Sequence, residues 1–179
     1  LCIDVSGSMA GIPMSVAIGI SILGSEICHP AYKDLVMTFS ETPEWHNLRN
    51  CKTFSEKVSS LQSASWGMNT DFEAAMIKIA DNIKSNNLTS DEIPEYLMVI
   101  SDMQMDQARN EYSYYNKKSP TVVWSTVYDN IKRLFQELGM EMYGVPFKPP
   151  TIIFWNVRAT EGFPAASDDE GVILLSGYS

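Results

Sequence analysis

Histidine and cysteine, from which zinc sites, disulfides and many catalytic centres are built, are scarce in this chain. It has only two histidines, His29 and His46, and three cysteines, Cys2, Cys28 and Cys51. The cysteines follow no disulfide-framework spacing and leave one thiol over, and their spacing from the histidines is wrong for a zinc finger. We therefore expect reduced, buried thiols in an intracellular, cytoplasmic protein.

Long apolar runs and basic clusters are also missing. No apolar stretch reaches the roughly 20 residues that cross a bilayer, because three serines and a glutamate interrupt the closest candidate, residues 11–27. The net charge is −9, and the only basic doublets lie at 117–118 and 132–133. Such a surface repels nucleic acid and anionic lipid. We expect no membrane association and no nucleic-acid binding by this domain alone.

The size and composition are those of one soluble domain. The chain has 179 residues, of which 45% are hydrophobic and 20% charged. It starts directly in an apolar, strand-like segment without a signal peptide. We interpret residues 1–179 as a single domain and as a fragment of a longer protein.

The motifs of several enzyme classes are absent. Neither the serine-hydrolase motif G-x-S-x-G nor the phosphate-binding loop G-x-x-x-x-G-K-[ST] occurs. A phosphatase with Asp4 as nucleophile would usually need a second carboxylate two residues on, where this chain has Ser6. We expect the domain not to be an enzyme, although a magnesium-dependent enzyme that handles phosphoryl groups or nucleotides stays open as the alternative.

Strand-like and helix-like segments alternate along the chain. Strand patterns occur at residues 1–5, 34–40, 96–101, 151–156 and 171–175, with a short edge strand at 44–48. Helix patterns lie between them, and two of these open with capping boxes, at residues 53–56 and 70–73. This order predicts an α/β fold of three layers: helices on both faces of a doubly wound, mostly parallel six-stranded sheet with one short antiparallel edge strand.

The helix patterns make specific predictions. In the helix over 13–27, apolar residues recur at helical spacing: Val16, Ile20, Leu23 and Ile27. In the helix after Thr70, one apolar stripe faces inward: Phe72, Ala75, Met76, Ile79 and Ile83. The helix over 121–138 should end at Gly139, since glycine commonly follows a helix.

Oxygen-bearing side chains gather in three loops that follow strands or precede helices. Asp4, Ser6 and Ser8 follow the first strand, Thr70 precedes a helix, and Asp102 follows the buried strand over 96–101. Sites of parallel sheets form beyond the carboxyl ends of the strands, where the strand order reverses. A set of oxygens with few charges and no cysteine or histidine suits Mg²⁺ or Mn²⁺ rather than zinc.

Each of these residues also has a purely structural interpretation. Ser6 or Ser8 could cap the first helix, Thr70 forms a capping box with Glu73, and Asp102 could cap whatever follows its strand. Only the combination of the three loops favours a metal site.

That combination, D-x-S-x-S followed by Thr70 and Asp102, resembles the metal-ion-dependent adhesion site of von Willebrand factor type A domains. The resemblance implies that Ser6 and Ser8 bind the ion directly, Thr70 directly or through water, and Asp4 and Asp102 mostly through water. It also implies that an open coordination position takes a carboxylate from a protein partner. Candidates for the surrounding shell are Gly7, Asn69 and Asp106, of which Gly7 would let the loop bend and Asp106 could instead cap the next turn.

Three longer segments of the sequence indicate which members of this family the chain resembles. The segments WGMNTDFEAA, SDMQMDQA and IIFWN are similar to poorly characterised plant and giant-virus proteins, and more distantly to Ro-type RNA-binding proteins. Met103 stands where adhesion domains usually have glycine, which puts an integrin-like ligand choice in doubt. The family's last helix is missing after residue 175, so one sheet face should be partly uncovered. A structural domain that supports an adjacent RNA-binding region is a further alternative.

Overall fold

The computed structural model describes residues 1–39, 42–64, 72–103, 120–158 and 163–177. The strands are β1 Cys2–Asp4, β2 Leu35–Phe39, β3 Glu44–Asn47, β4 Tyr96–Ser101, β5 Thr151–Asn156 and β6 Val172–Ser176. The helices are α1 Ile12–Ile27, α2 Phe54–Gln62, α3 Phe72–Ser85 and α4 Pro120–Tyr143, with short 3₁₀ turns at Gly7–Met9 and Ser90–Glu92. None of the helices in these ranges is long and apolar enough to cross a lipid bilayer.

The six strands form one sheet in the order β3-β2-β1-β4-β5-β6. β3 is antiparallel to β2, and the other neighbouring pairs are parallel. This confirms the predicted fold class, a doubly wound α/β sheet with one antiparallel edge strand. The strand order reverses between β1 and β4, which pair with Cys2 opposite Val99 and Ile3 opposite Ile100. The carboxyl ends of these two strands therefore flank the switch point of the sheet.

Two apolar cores lie on opposite faces of the sheet, because successive strand residues point to opposite sides. One core joins α1 and α2 to the sheet through Ile3, Val36 and Ile100. The other joins α3 and α4 to it through Cys2, Met37 and Val99. Complete burial raises the pKa of the Cys2 thiol to about 12, so this cysteine is a neutral core residue at physiological pH.

The inward stripe of α3 is confirmed, whereas the spacing in α1 does not mark its buried face. Leu23 and Ile27 are 60% and 87% exposed. The side chains that α1 buries are Met14, Ala17, Ile18, Ser21, Ile22 and Ser25. Because α1 is apolar around most of its circumference, several stripes fit a helical period equally well, and the packing partner decides which one is buried.

The predicted helix end at Gly139 is wrong, because α4 continues to Tyr143. A Cβ atom at position 139 would collide with the carbonyl oxygen of Val145 and the amide nitrogen of Phe147. Glycine at this position therefore lets the chain that leaves the helix pack directly on its last turns. The residue that ends the helix is Gly144, which has the left-handed φ of +71° that glycine adopts without strain.

Strand β6 lies at one edge of the sheet, and its two faces differ in how far they are covered. Its side chains Val172 and Leu174 pack against the core of α3 and α4. Ile173 and Leu175, which point to the other face, are 40% and 39% exposed.

A charge cluster ties α1, α2 and the start of β2 together. The Lys57 ammonium of α2 lies 2.6 Å from Asp34 Oδ1 and 2.8 Å from Glu26 Oε1, and the Lys57 side chain is 11% exposed. Asp34 precedes β2 in a left-handed conformation, with φ of +59°. The hydrogen bonds from Lys57 to Asp34 and Glu26 raise the lysine's pKa above its ordinary value of 10.5. The cluster therefore stabilises the fold at neutral pH, and this contribution is lost as the pH rises from 10.5 through the raised pKa of Lys57.

We predict that Lys57→Ala lowers the free energy of unfolding at neutral pH by about 2 kcal/mol, because it leaves two carboxylates without their cation. Asp34 and Glu26 remain 17% and 45% exposed, which keeps the loss below that of a fully buried pair. Lys84→Ala is the matched control, because it removes the exposed pair with Glu141 and should cost less than about 0.5 kcal/mol. Urea unfolding measures both, and equal losses would contradict the prediction.

Candidate metal centre

Two buried carboxylates stand at the carboxyl ends of the central strands. Asp4 is the last residue of β1, and Asp102 follows β4 directly. They are 5% and 1% exposed. Because β1 and β4 are parallel neighbours, residues 98 positions apart in sequence lie at the same edge of the sheet. The structure thus brings together the first and third loops predicted from the sequence.

Both oxygens of the Asp4 carboxylate accept hydrogen bonds. The backbone N–H of Ser6 donates to Oδ1 at 2.8 Å, and the hydroxyl of Ser101 donates to Oδ2 at 2.8 Å. The first bond shapes the turn that leaves β1, and the second crosses from β4. The Asp4 carboxylate is therefore held in one orientation by two neutral donors.

Burial raises the pKa of the Asp4 carboxyl above its ordinary value of 3.8. The hydrogen bonds from Ser6 and Ser101 oppose this shift, and the nearby charge of Asp102 adds to it. A buried carboxylate with a like charge nearby favours either a proton or a cation. This is the electrostatic environment in which a divalent ion would be stabilised.

Ser6 and Ser8 lie in the segment that connects β1 to α1, Ser6 directly before the 3₁₀ turn and Ser8 within it. Both are half-buried, and their Oγ atoms are 2.9 Å apart. Neither side chain caps α1, whose N-cap is Gly11 and has no side-chain capping bond. Ser6 precedes the 3₁₀ turn, again without a capping bond from its side chain. The capping interpretation of these two serines is therefore wrong.

Two glycines lie in this loop: Gly7 is the first residue of the 3₁₀ turn, and Gly11 is the N-cap of α1. Gly11 has a φ of +93°, a conformation that favours glycine, whereas Gly7 is not among the residues with positive φ. Gly7 is exposed, and a Cβ atom added to it would meet nothing within 4 Å. Gly7 therefore lies in the turn without needing a left-handed conformation, and its role in letting the loop bend stays a prediction.

The loop after β4 begins with a left-handed residue. Met103 has a φ of +59° although it is not glycine, and its side chain is 8% exposed in the core of α3 and α4. Its backbone N–H donates to Ser101 Oγ at 3.0 Å. Sequence reasoning did not select Ser101 as a site residue. The signal available was a hydroxyl at the end of a buried apolar strand, directly before Asp102.

Three of the predicted site residues, Thr70, Asn69 and Asp106, lie outside the described residues, and so does the turn that Asp102 could cap. Within the described parts of the chain, no group of three or more histidine, cysteine, aspartate or glutamate side chains could hold a metal ion. The candidate centre depends instead on two carboxylates combined with serine hydroxyls. Hydroxyl and carboxylate oxygens are ligands that magnesium and manganese accept.

The comparisons with known proteins are as follows. The family described as "Domain of unknown function (DUF7788)" matches residues 1–179. "Uncharacterized protein L728" of Acanthamoeba polyphaga mimivirus is 32% identical over 179 residues, covering 99% of this chain and 28% of that protein. The crystal structure of the Deinococcus radiodurans RO (RSR) protein is similar with a TM-score of 0.59 and 20% identity, covering 99% of this chain and 31% of that chain.

These similarities give information about the fold of this chain and about the length of its relatives. The chain spans less than a third of the length of the viral protein and of the Deinococcus protein. The likeness to the Deinococcus structure shows a fold like that of von Willebrand factor type A domains and nothing about ligands. The predicted similarity is thereby confirmed for a giant-virus protein and, at the level of the fold, for a Ro protein.

We predict that Asp4→Asn raises the free energy of unfolding of the metal-free protein relative to wild type, and that this difference grows as the pH rises. The asparagine has the shape of aspartate but carries no charge. Because the native pKa of Asp4 is raised, its folded form favours the proton, and the cost of the charge appears as the pH rises from 3.8 through the native pKa. Urea unfolding in chelator, from pH 3.8 to neutral pH, measures the free energy of both proteins.

The exposed carboxylate of Asp91 offers a control, since Asp91→Asn removes a charge from the 3₁₀ turn before β4. The stability difference between Asp4→Asn and wild type should grow with pH, and more steeply than it does for Asp91→Asn. A difference for Asp4→Asn that is constant or shrinks with pH would show that burial does not raise this pKa.

Proposed function

The chain belongs to the family described as Domain of unknown function (DUF7788), and we propose that it is a non-enzymatic protein-binding module. In this proposal a Mg²⁺ or Mn²⁺ ion lies at the carboxyl ends of β1 and β4 and captures a carboxylate of a protein partner. Ser6 and Ser8 bind the ion directly, while Asp4 and Asp102 act mostly through water. Thr70 is the fifth proposed ligand.

The spacing of the two serine hydroxyls is the observation that carries the proposal. Neighbouring ligands of an octahedral magnesium ion, each bound at about 2.0–2.1 Å, lie about 2.9 Å apart. The Oγ atoms of Ser6 and Ser8 are 2.9 Å apart. Two hydroxyls at this distance can take adjacent positions around the ion without a rearrangement of the loop.

The charges of the site support a divalent ion that stays open to a further ligand. The carboxylates of Asp4 and Asp102 supply two negative charges, which balance the two positive charges of the ion. Magnesium dehydrates reluctantly and usually keeps several waters, which a partner's carboxylate can replace. Gly7, between the two serines, is exposed and carries no side chain, which leaves room for such a partner.

The surroundings of the site favour binding over catalysis. In the part of the chain that the structure describes, the hydrogen bonds of the Asp4 carboxylate come from Ser6 and Ser101, neither of which is a general base. His46 contacts Ser60 at 2.8 Å, and His29 lies 3.8 Å from Glu92, before β4. Neither histidine takes part in these bonds, so among the described residues at this edge acid–base chemistry would depend on the carboxylates.

The lengths of the relatives support the proposal that this domain is a module within larger proteins. The viral relative and the Deinococcus structure are each more than three times as long as the part that this chain covers.

We predict that the protein binds one Mg²⁺ or Mn²⁺ ion and that Asp4→Ala weakens this binding 10- to 100-fold, the usual effect of losing a carboxylate that orients metal ligands. Isothermal titration calorimetry measures both affinities. Asp91→Ala is the control, because it removes an equal charge at the opposite, amino-terminal edge of the sheet. The absence of metal-dependent heat, or equal affinities for wild type and Asp4→Ala, would refute the metal site.

A second prediction concerns the open coordination position. Acetate should bind to the Mn²⁺-loaded protein and acetamide should not, because only the carboxylate carries the charge that a divalent ion attracts. Paramagnetic relaxation of the probes' methyl protons measures this contact, with Asp4→Ala as the control for free Mn²⁺. Equal relaxation of acetate and acetamide would contradict capture of a carboxylate. Hydrolysis of ATP or of a phosphomonoester that disappears in Asp102→Ala would favour the enzyme alternative instead.

A further inference from the structure

A single buried hydroxyl connects the first and third loops of the candidate site. Ser101 is the last residue of β4 and has no exposed surface. Its Oγ donates a hydrogen bond to Asp4 Oδ2 at 2.8 Å and accepts one from the backbone N–H of Met103 at 3.0 Å. One atom thus contacts both the carboxylate at the end of β1 and the turn that contains Asp102.

The turn that Ser101 contacts has an unusual conformation. Met103 has a φ of +59°, which side chains with a Cβ atom rarely adopt. The Met103 side chain packs in the core of α3 and α4, and its N–H is bound by Ser101 Oγ. The residue is therefore held from two sides, and its neighbour Asp102 is held with it.

We infer that Ser101 is a positioning residue for the metal ion: its hydroxyl holds the carboxylate of Asp4 and the Asp102–Met103 turn in one arrangement before the ion binds. This inference rests on the proposed function, and it adds a residue that the metal-site pattern does not contain. Ser101 does not touch the ion in this arrangement. It acts through Asp4 and through the backbone of Met103.

The chemistry of the position requires a small group that donates and accepts at the same atom. A serine hydroxyl does both, whereas alanine does neither. Because Ser101 has no exposed surface, bulk water does not reach the site of the lost hydroxyl, and both Asp4 Oδ2 and the Met103 N–H would lose their partner together. Preorganised ligands bind an ion more tightly, since the ion does not have to order them.

The test compares Ser101→Ala with Ser25→Ala, a matched loss of one buried hydroxyl. Ser25 also has no exposed surface and donates to the carbonyl of Ile22 at 2.8 Å, within α1 and away from the site. Calorimetry with Mg²⁺ should show a 10- to 100-fold weaker affinity for Ser101→Ala and an unchanged affinity for Ser25→Ala. Ser101→Thr, which keeps the hydroxyl, should restore most of the affinity.

A second measurement is made on the metal-free protein. Amide hydrogen exchange at Met103, followed by NMR, should be faster in Ser101→Ala than in Ser25→Ala, because only the former removes the acceptor of this N–H. If wild type binds no Mg²⁺, the proposed function fails, whereas this exchange measurement still tests the link between the two loops.

The remaining outcomes separate the inference from the proposed function. Wild-type protein and Ser101→Ala binding Mg²⁺ with equal affinity would overturn the positioning role and leave the metal site intact. If Ser101→Ala does not fold, Ser101→Cys replaces it, because a thiol keeps most of the volume and is a weak donor and acceptor. Mg²⁺ affinity of Ser101→Cys equal to that of wild type would equally overturn the inference.

Discussion

The parallel pairing of β1 with β4 is the constraint on which the candidate site depends. It reverses the strand order in the middle of the sheet, and it sends the loops after the two strands to opposite faces of a shared edge. Because both strands are buried, the carboxylates at their carboxyl ends are buried too, that of Asp4 in the last position of β1 and that of Asp102 directly after β4. Any function at this edge has to accommodate two buried carboxylates, and burial raises the pKa of one of them, Asp4.

The carboxylates at the amino-terminal and the carboxyl-terminal edge of the sheet have different partners. At the amino-terminal edge, Asp34 and Glu26 meet the ammonium group of Lys57. At the carboxyl-terminal edge, the Asp4 carboxylate accepts its bonds from the neutral groups of Ser6 and Ser101. Neutral donors orient a carboxylate without cancelling its charge. The first arrangement stabilises the fold, and the second leaves negative charge available for a cation.

Local patterns predicted most of the elements because each is specified within a few residues. The Thr53–Glu56 capping box opens α2 as expected, and the apolar segment 96–101 forms β4. The predictions that were wrong concern positions whose structure is determined by contacts with a distant segment of the chain. Leu23 of α1 is exposed because the sheet contacts another side of that helix, and Gly139 lies inside α4 because the chain around Phe147 packs against it. Neither contact has a local signal.

By itself, the sequence determined the alternation of strands and helices and the oxygen-rich ends of the first and fourth strands. These depend on hydrophobic periodicity and residue type, which are local properties. Only the tertiary structure decided that Gly11 adopts a positive φ at the start of α1, and that Ser101 joins the two loops. The bond from Ser101 to Asp4 spans 97 residues, and it exists because strand pairing, which no short stretch of sequence encodes, places the two side by side.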